Sequence, residues 1–322
     1  MSTQPLPTPV AAPPPSEGRQ WSSPLQRVQG LLFVLPALVV LAIFLIYPAY
    51  YTIRLAFYEG DFHFGFFHYL GLQNFKDLLT NDPDFLDLSK FPPGGALFNN
   101  LRWVVFYISL SLIIGLGLAV LAVRVRYERA IKTAIFVPMA ISATAVGIIW
   151  LLVYNTDSNV GVLNAVWHGM FHQSPVSWLG NPNIVNYALI FAYIWASVGF
   201  VMVVLSAAIK GIPAEVMEAA RVDGAGEWNI FRRIMLPMLS LPISVVTIWL
   251  FINVIKVFDI IYVMTGGGPG TTSRVIAFTM YEETFHNGRP GYGAAVAVIM
   301  LVLIAPVMVL NVRRFRTEKV VT

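Results

Sequence analysis

Residues 211–237 read GIPAEVMEAARVDGAGEWNIFRRIMLP, a short polar interruption of an otherwise apolar chain. Pro213 suits the first turn of a helix, and Glu215 and Glu218 put carboxylates at the positive end of its dipole. Gly224 can adopt the left-handed conformation that ends such a helix. The expected helix has about three turns, too short to cross a bilayer. Ala219 and Ala220 present almost no side chain, so a partner surface can approach the backbone closely. A second short helix should follow along the membrane surface. In it Trp228, Phe231 and Met235 recur at i, i+3 and i+7, Arg232 and Arg233 face elsewhere, and Pro237 turns the chain into the next apolar run. By pattern alone, the segment also fits an amphipathic linker that covers one end of a helix bundle.

What flanks the segment belongs to a membrane. The 322 residues are 57% hydrophobic and 12% charged, with a mean hydropathy of +0.69, too apolar for a soluble domain of this size. Runs long enough to span occur at about 30–56, 98–122, 132–153, 185–209, 239–263 and 292–312, which predicts an all-α bundle of six transmembrane helices within residues 26–318. Residues 1–25 are rich in proline and small residues (PLPTPVAAPPPSEG) and read as a disordered tail. A signal peptide is not expected, because the first apolar run is longer than an h-region and lacks a clear cleavage site. Arg19, Arg27, Arg124, Arg126, Arg129, Lys132, Lys210, Arg221, Arg232, Arg233, Arg313, Arg314, Arg316 and Lys319 fall on the side of the termini, against Lys76, Lys90, Arg274 and Arg289 opposite. The positive-inside rule therefore predicts cytoplasmic termini and a cytoplasmic 211–237 loop. The segment 57–97, with Glu59, Asp61, Asp77, Asp82, Asp84 and Asp87, reads as a small folded cap outside. Prolines and glycines within runs, such as Pro36, Pro138 and Gly115, are tolerated where neighbouring helices protect the backbone.

The residue inventory argues against an enzyme. With no cysteine, disulfide frameworks, thiolate metal sites and cysteine nucleophiles are excluded. His63, His68, His168, His172 and His286 form no HExxH-like pair; His168 and His172 stand at i, i+4 with no carboxylate between them, so no metal is expected. No paired carboxylates, histidine cluster or serine–base set share one depth. No GxxxxGK[ST] stretch occurs, and Gly266-Gly267-Gly268-Pro269-Gly270-Thr271-Thr272 is followed by no lysine, so it reads as a tight turn leaving the fifth run. The net charge of +4 is explained by its placement along the membrane, and no nucleic-acid partner is expected.

Glu218-Ala219-Ala220, three residues, Gly224, then Ile234-x-Leu236-Pro237 closely resembles the EAA loop of binding-protein-dependent ABC importers. That resemblance implies a type I permease fold whose coupling helix, through Glu215, Glu218, Ala219, Ala220, Asp223 and Gly224, docks into a cleft on a separate ATP-binding subunit. It makes Glu218 the polar contact and Gly224 the turn between the two short helices. VFDIIYVMT at 257–265 followed by GGGPGTT, RAIKTAIFVPMAISATAVGIIW at 129–150 and GLQNFKDLL at 71–79 are similar to maltose-type sugar permeases, over about residue 30 to the end of the chain. The fifth-span region and NVRRFR near the end look nearest to alpha-glucoside permeases. The resemblance implies two copies of an ABC ATPase subunit holding ATP and Mg, a second permease chain, an extracytoplasmic sugar-binding protein, and no cofactor on this chain.

A sugar needs a transient polar site near the bilayer midplane, and polar residues deep in spans are candidates because they are expensive there. The fifth run offers Asn253, with Leu250, Val254 and Val257 on its face by helical spacing; the fourth offers Trp195, Ser197 and Phe200. Rings can cover a pyranose face while the amide and hydroxyl meet its OH groups. Asn253 also fits interhelical glue, and Trp195 and Phe200 also fit packing against helices or lipid. Lys256 and Asp259, at i, i+3, are expected to pair with each other, a structural role. The competing reading is a secondary transporter driven by an ion gradient and coupled through that pair; it accounts for neither the EAA-type loop nor its side of the membrane.

Overall fold

A computed structural model describes residues 24–60, 68–89 and 91–318, with side chains for 32–60, 68–89 and 91–309. Nearly all of the expected proline-rich tail lies outside the described residues. The chain divides into two units between Tyr51 and Thr52. In the first, α1 (Pro24–Leu41) passes through a π-helical turn, Ala42–Ile46, into α2 (Tyr47–Leu55). Residues 32–50 are exposed throughout. A helix apolar on every side needs lipid or protein around it.

The second unit continues with α3 (Gln73–Thr80), α4 (Ala96–Arg124), α5 (Glu128–Phe136), α6 (Ala143–Val153), α7 (Val162–Phe171), α8 (Val185–Lys210), α9 (Ala214–Val222) and α10 (Glu227–Ile230). It ends with α11 (Leu236–Met238), α12 (Ser240–Ile255), α13 (Asp259–Met264), α14 (Ile276–Tyr281) and α15 (Pro290–Glu318). Among the described residues strand pairing is limited to two isolated bridges, Tyr58 with Tyr69 and Asp87 with Gly94, so the all-α expectation holds.

Among the described residues four helical stretches are long and apolar enough to cross a membrane: Leu32–Leu55, Ala96–Arg124, Val185–Lys210 and Pro290–Val309. The runs expected at 132–153 and 239–263 are not straight. Glu128–Ala140 meets α6 at 102°, and Glu227–Met238 meets α12 at 68°. At the first break Ile141 and Ser142 are extended, and Ser142 Oγ caps α6 by accepting the Ala145 N–H at 3.3 Å. The bend before α12 falls at Leu239, two residues after Pro237, which lies near the end of the continuous helical stretch Glu227–Met238. A further break follows Ile255: Phe258, at φ −142° and ψ −60°, leaves the helical region before α13 begins.

Apolar burial gives little net gain when lipid is the alternative, so close approach and polar ties hold such a bundle. α4 and α8 pack along their length, with Trp103, Tyr107, Leu189, Met202 and Leu205 fully buried. Tyr107 OH donates to Ser197 Oγ at 3.0 Å, and Tyr154 OH to the Ala188 carbonyl at 2.9 Å. Gly199 allows α5 to touch α8: a Cβ there would lie 2.4 Å from the Ile135 oxygen.

Within 57–97 the described residues tie back onto α15 and the end of α2. α3 packs on α15, Asn74 Nδ2 donates to the Ala56 and Tyr58 carbonyls at 2.9 and 2.8 Å, and Tyr292 OH donates to Asp82 Oδ2 at 2.8 Å. The glycine-rich segment is more than a tight turn. Asn99 Nδ2 donates to the carbonyls of Thr272 and Arg274, both at 2.7 Å, and Asn186 Nδ2 reaches Thr272 O at 2.9 Å. Asn100 donates to Val254 O at 3.2 Å and accepts the Ile276 N–H at 2.7 Å, closing the loop at both ends.

Replacing Asn99 or Asn100 by Leu orphans these buried backbone groups and should cost about 1–3 kcal/mol each. The measurement is thermal unfolding in detergent, where the exposed Asn183→Ala should stay within about 0.5 kcal/mol of the parent.

Candidate functional site

α9 starts at Ala214 with Pro213 as its N-cap, one residue later than the sequence suggested, and ends on Gly224 at φ 79°. Ala225 N–H bonds to Ala220 O at 2.9 Å and Gly224 N–H to Arg221 O at 3.0 Å, the paired bonds of a Schellman motif. No residue of α9 is buried; Glu215, Glu218, Ala219, Asp223 and Gly224 are exposed and Ala220 is half-buried. The six residues singled out in the loop therefore share one short, accessible element between α8 and α12.

The second short helix differs from expectation. A π-helical turn, Phe231–Met235, adds a residue to the helical repeat, so Ile230 and Met235, five apart, become the buried pair. Trp228 is left 68% exposed and stacks on Phe231 at 5.5 Å. Glu227, at the start of α10, accepts Arg221 Nε at 3.0 Å and an Arg124 guanidinium N–H at 2.5 Å. These bonds, from Arg221 first and Arg124 second, hold its carboxyl below the ordinary carboxylate range. The pairs are therefore present above that range and are lost only as pH falls through the lowered value. Glu128 likewise holds Lys132 at 2.5 Å and Lys210, the last residue of α8, at 2.7 Å.

Where the broken helices meet lies a cavity of about 170 Å³. Tyr107 of α4, Pro138, Met139 and Ile141 at the break before α6, Tyr193, Ala196 and Ser197 of α8, Trp249 and Asn253 of α12, and Ile260 of α13 line it, and no charged side chain does. Irregular backbone is tolerated at such depth when protein buries it or a cavity receives it. Ser197 Oγ is committed, accepting from Tyr107 and donating to Tyr193 O at 2.8 Å. Asn253 Nδ2 donates to Trp249 O at 2.8 Å, which leaves its Oδ1 as an acceptor beside the cavity. The volume is below the ~300–1,000 Å³ of ordinary ligand pockets.

Of the six residues expected at the substrate, Ser197 and Asn253 line the cavity, whereas Phe200 does not and packs behind it with its ring tilted against Trp249 at 4.3 Å. Trp195 does not: it packs on Trp150 at 5.8 Å, away from Ser197. Leu250 and Val257 are buried in the core, at 0% and 3% exposure. Val246, Leu250 and Val254 form the buried i, i+4 stripe of α12, whereas Trp249 and Asn253 form the neighbouring stripe; Val257 lies beyond the end of the helix. Tyr107, Tyr193 and Trp249 were missed, although Tyr193 and Trp249 each stand one helical turn before a chosen residue. Lys256 and Asp259 are both exposed, and among the described residues no ion pair joins them, because the break between α12 and α13 removes the i, i+3 geometry. A larger cleft, about 780 Å³, lies between the 57–97 segment and α15; Tyr292 bonds Asp82 and Arg289 bonds Glu283 on its walls, while Arg274 Nε there is buried without a hydrogen-bond partner among the described residues.

Residues 111–314 match the family described as binding-protein-dependent transport system inner membrane component. The chain is 42% identical over 292 residues to the osmoprotective compounds uptake permease protein GgtC of Synechocystis sp., covering 89% of this chain and 99% of that protein. It is 36% identical over 296 residues to the alpha-glucoside transport system permease protein AglF of Rhizobium meliloti, covering 90% and 83%. A solved bacterial alginate ABC transporter, in complex with alginate pentasaccharide-bound periplasmic protein, contains a chain of the same fold, with a TM-score of 0.72 at 23% identity over 91% of this chain and 96% of that one.

The left-handed cap of α9 is testable directly. Gly224→Val should cost about 1–2 kcal/mol through its positive φ and raise amide hydrogen exchange across 214–225. Gly226→Ala, at φ −67°, should leave exchange there unchanged.

Proposed function

This chain belongs to the binding-protein-dependent transport system inner membrane components, and from that membership we propose that it is the permease subunit of an ATP-driven importer of a neutral sugar, an oligosaccharide or alpha-glucoside. The observation that carries the reading is α9: a capped short helix with no buried residue, offering Glu215, Glu218 and Ala219 to a partner. With both termini in the cytoplasm, α9 faces the ATPase subunits, which hold ATP and Mg. A sugar-binding protein delivers substrate at the opposite end, beside the cap. Closure of the two ATPase subunits displaces α9, and the helices rock so that the cavity opens first outward, then inward. A second permease chain supplies the remaining wall.

The cavity's chemistry supports a neutral, hydroxylated cargo. Asn253 Oδ1 accepts a hydroxyl proton, the Tyr193 hydroxyl can donate or accept, and the Trp249 ring covers an apolar sugar face. With no charge on this wall, a charged sugar would lose hydration without an ionic partner here.

Two measurements on the assembled transporter in proteoliposomes test this. Glu218→Lys combined with Gly224→Asp should lower uptake on the order of tenfold or more while ATP hydrolysis continues; uptake at the parent rate would refute the role of α9. Asn253→Leu should lower uptake of neutral disaccharides by about tenfold, as expected for one lost buried hydrogen bond, and uronic acids should be poor substrates of the parent.

A further inference from the structure

α9 stands off the bundle. Met217 alone among its side chains packs against the main core, and it is only half-buried. Displacement of so loosely seated a helix needs a route into the spans. The Glu227 carboxylate stands on one: Oε1 accepts from Arg221 in the last turn of α9, and Oε2 from Arg124, the final residue of α4. α4 packs along α8 and carries Tyr107 to the cavity wall, where it bonds Ser197.

We propose that Glu227 is a positioning residue for transport, a two-armed tie that carries displacement of α9 into α4 and so to the cavity. The inference rests on the reading of α9 as the seat of an ATPase subunit. Exposed ion pairs add little to stability; the tie matters for direction, since one carboxylate grips two elements that otherwise meet only sparsely. Glu128 supplies the contrast. Its partners Lys132 and Lys210 lie on α5 and at the end of α8, so it grips neither α9 nor α4.

This chain has no cysteine, so with the other subunits made cysteine-free a single introduced thiol reports alone. Met139→Cys puts one thiol on the cavity wall. Its labelling by a small charged methanethiosulfonate is followed in the complete transporter, with and without ATP plus vanadate. In that parent, nucleotide should change the rate on the order of fivefold or more. Glu227→Gln and Arg124→Gln should each reduce the change to less than roughly twofold while the ATPase subunits still co-purify and hydrolyse ATP. Arg124→Glu with Glu227→Lys moves the carboxylate to α4, where both Arg221 and the introduced ammonium can reach it, and should restore the response; Glu128→Gln should keep it. A full response in Glu227→Gln, or an equal loss in Glu128→Gln, overturns the tie and leaves the role of α9 standing. If the parent shows no response, or no ATPase co-purifies, the reading of α9 falls and the tie with it. Should Glu227→Gln fail to accumulate, Arg124→Gln and the double exchange decide the matter.

Discussion

Lipid offers no hydrogen bonds, so every backbone N–H and C=O at membrane depth must find a partner within the protein. Long helices meet that demand by themselves, and α4, α8 and α15 do so. The breaks near Ile141 and after Ile255 cannot, and they survive because α4 and α8 cover them and a cavity receives them. Ser142 at the first break and Asn100, through Val254 O, at the second supply bonds that the lost helical turns no longer make. The same constraint therefore places the irregular backbone, the polar side chains and the cavity together.

Away from that depth, water is a partner and the design rules change. The 211–237 segment satisfies its ends with local bonds, a Schellman motif after α9 and charged pairs around Glu227. It buries few apolar residues: Ile230, Met235 and Leu239 anchor the second short helix while α9 is left free to bear on something else. An element held lightly by the bundle but tied to it by directional contacts can move without unpacking a core.

The short capped helix at Ala214–Val222 was legible because its constraints are local. Gly224 needs positive φ, the carboxylates need a helix start, and the length of α9 follows from its caps, all of which are readable within ten or so residues. Lys256 and Asp259 were misjudged because helical spacing was carried across residues where the helix ends. Leu250 and Val257 failed for related reasons: the first sits one stripe away from Asn253, and the second lies past the last turn.

The sequence by itself determined what depends on composition and near neighbours: an all-α membrane chain, the number of apolar runs, the short capped helix between the fourth and fifth, and the family. The tertiary structure alone decided which face of each helix meets the cavity, because that choice turns on breaks and a π-helical turn that reset the helical phase. It also alone revealed Glu227 between Arg124 and Arg221, since a bond across a hundred residues of chain leaves no local pattern to read.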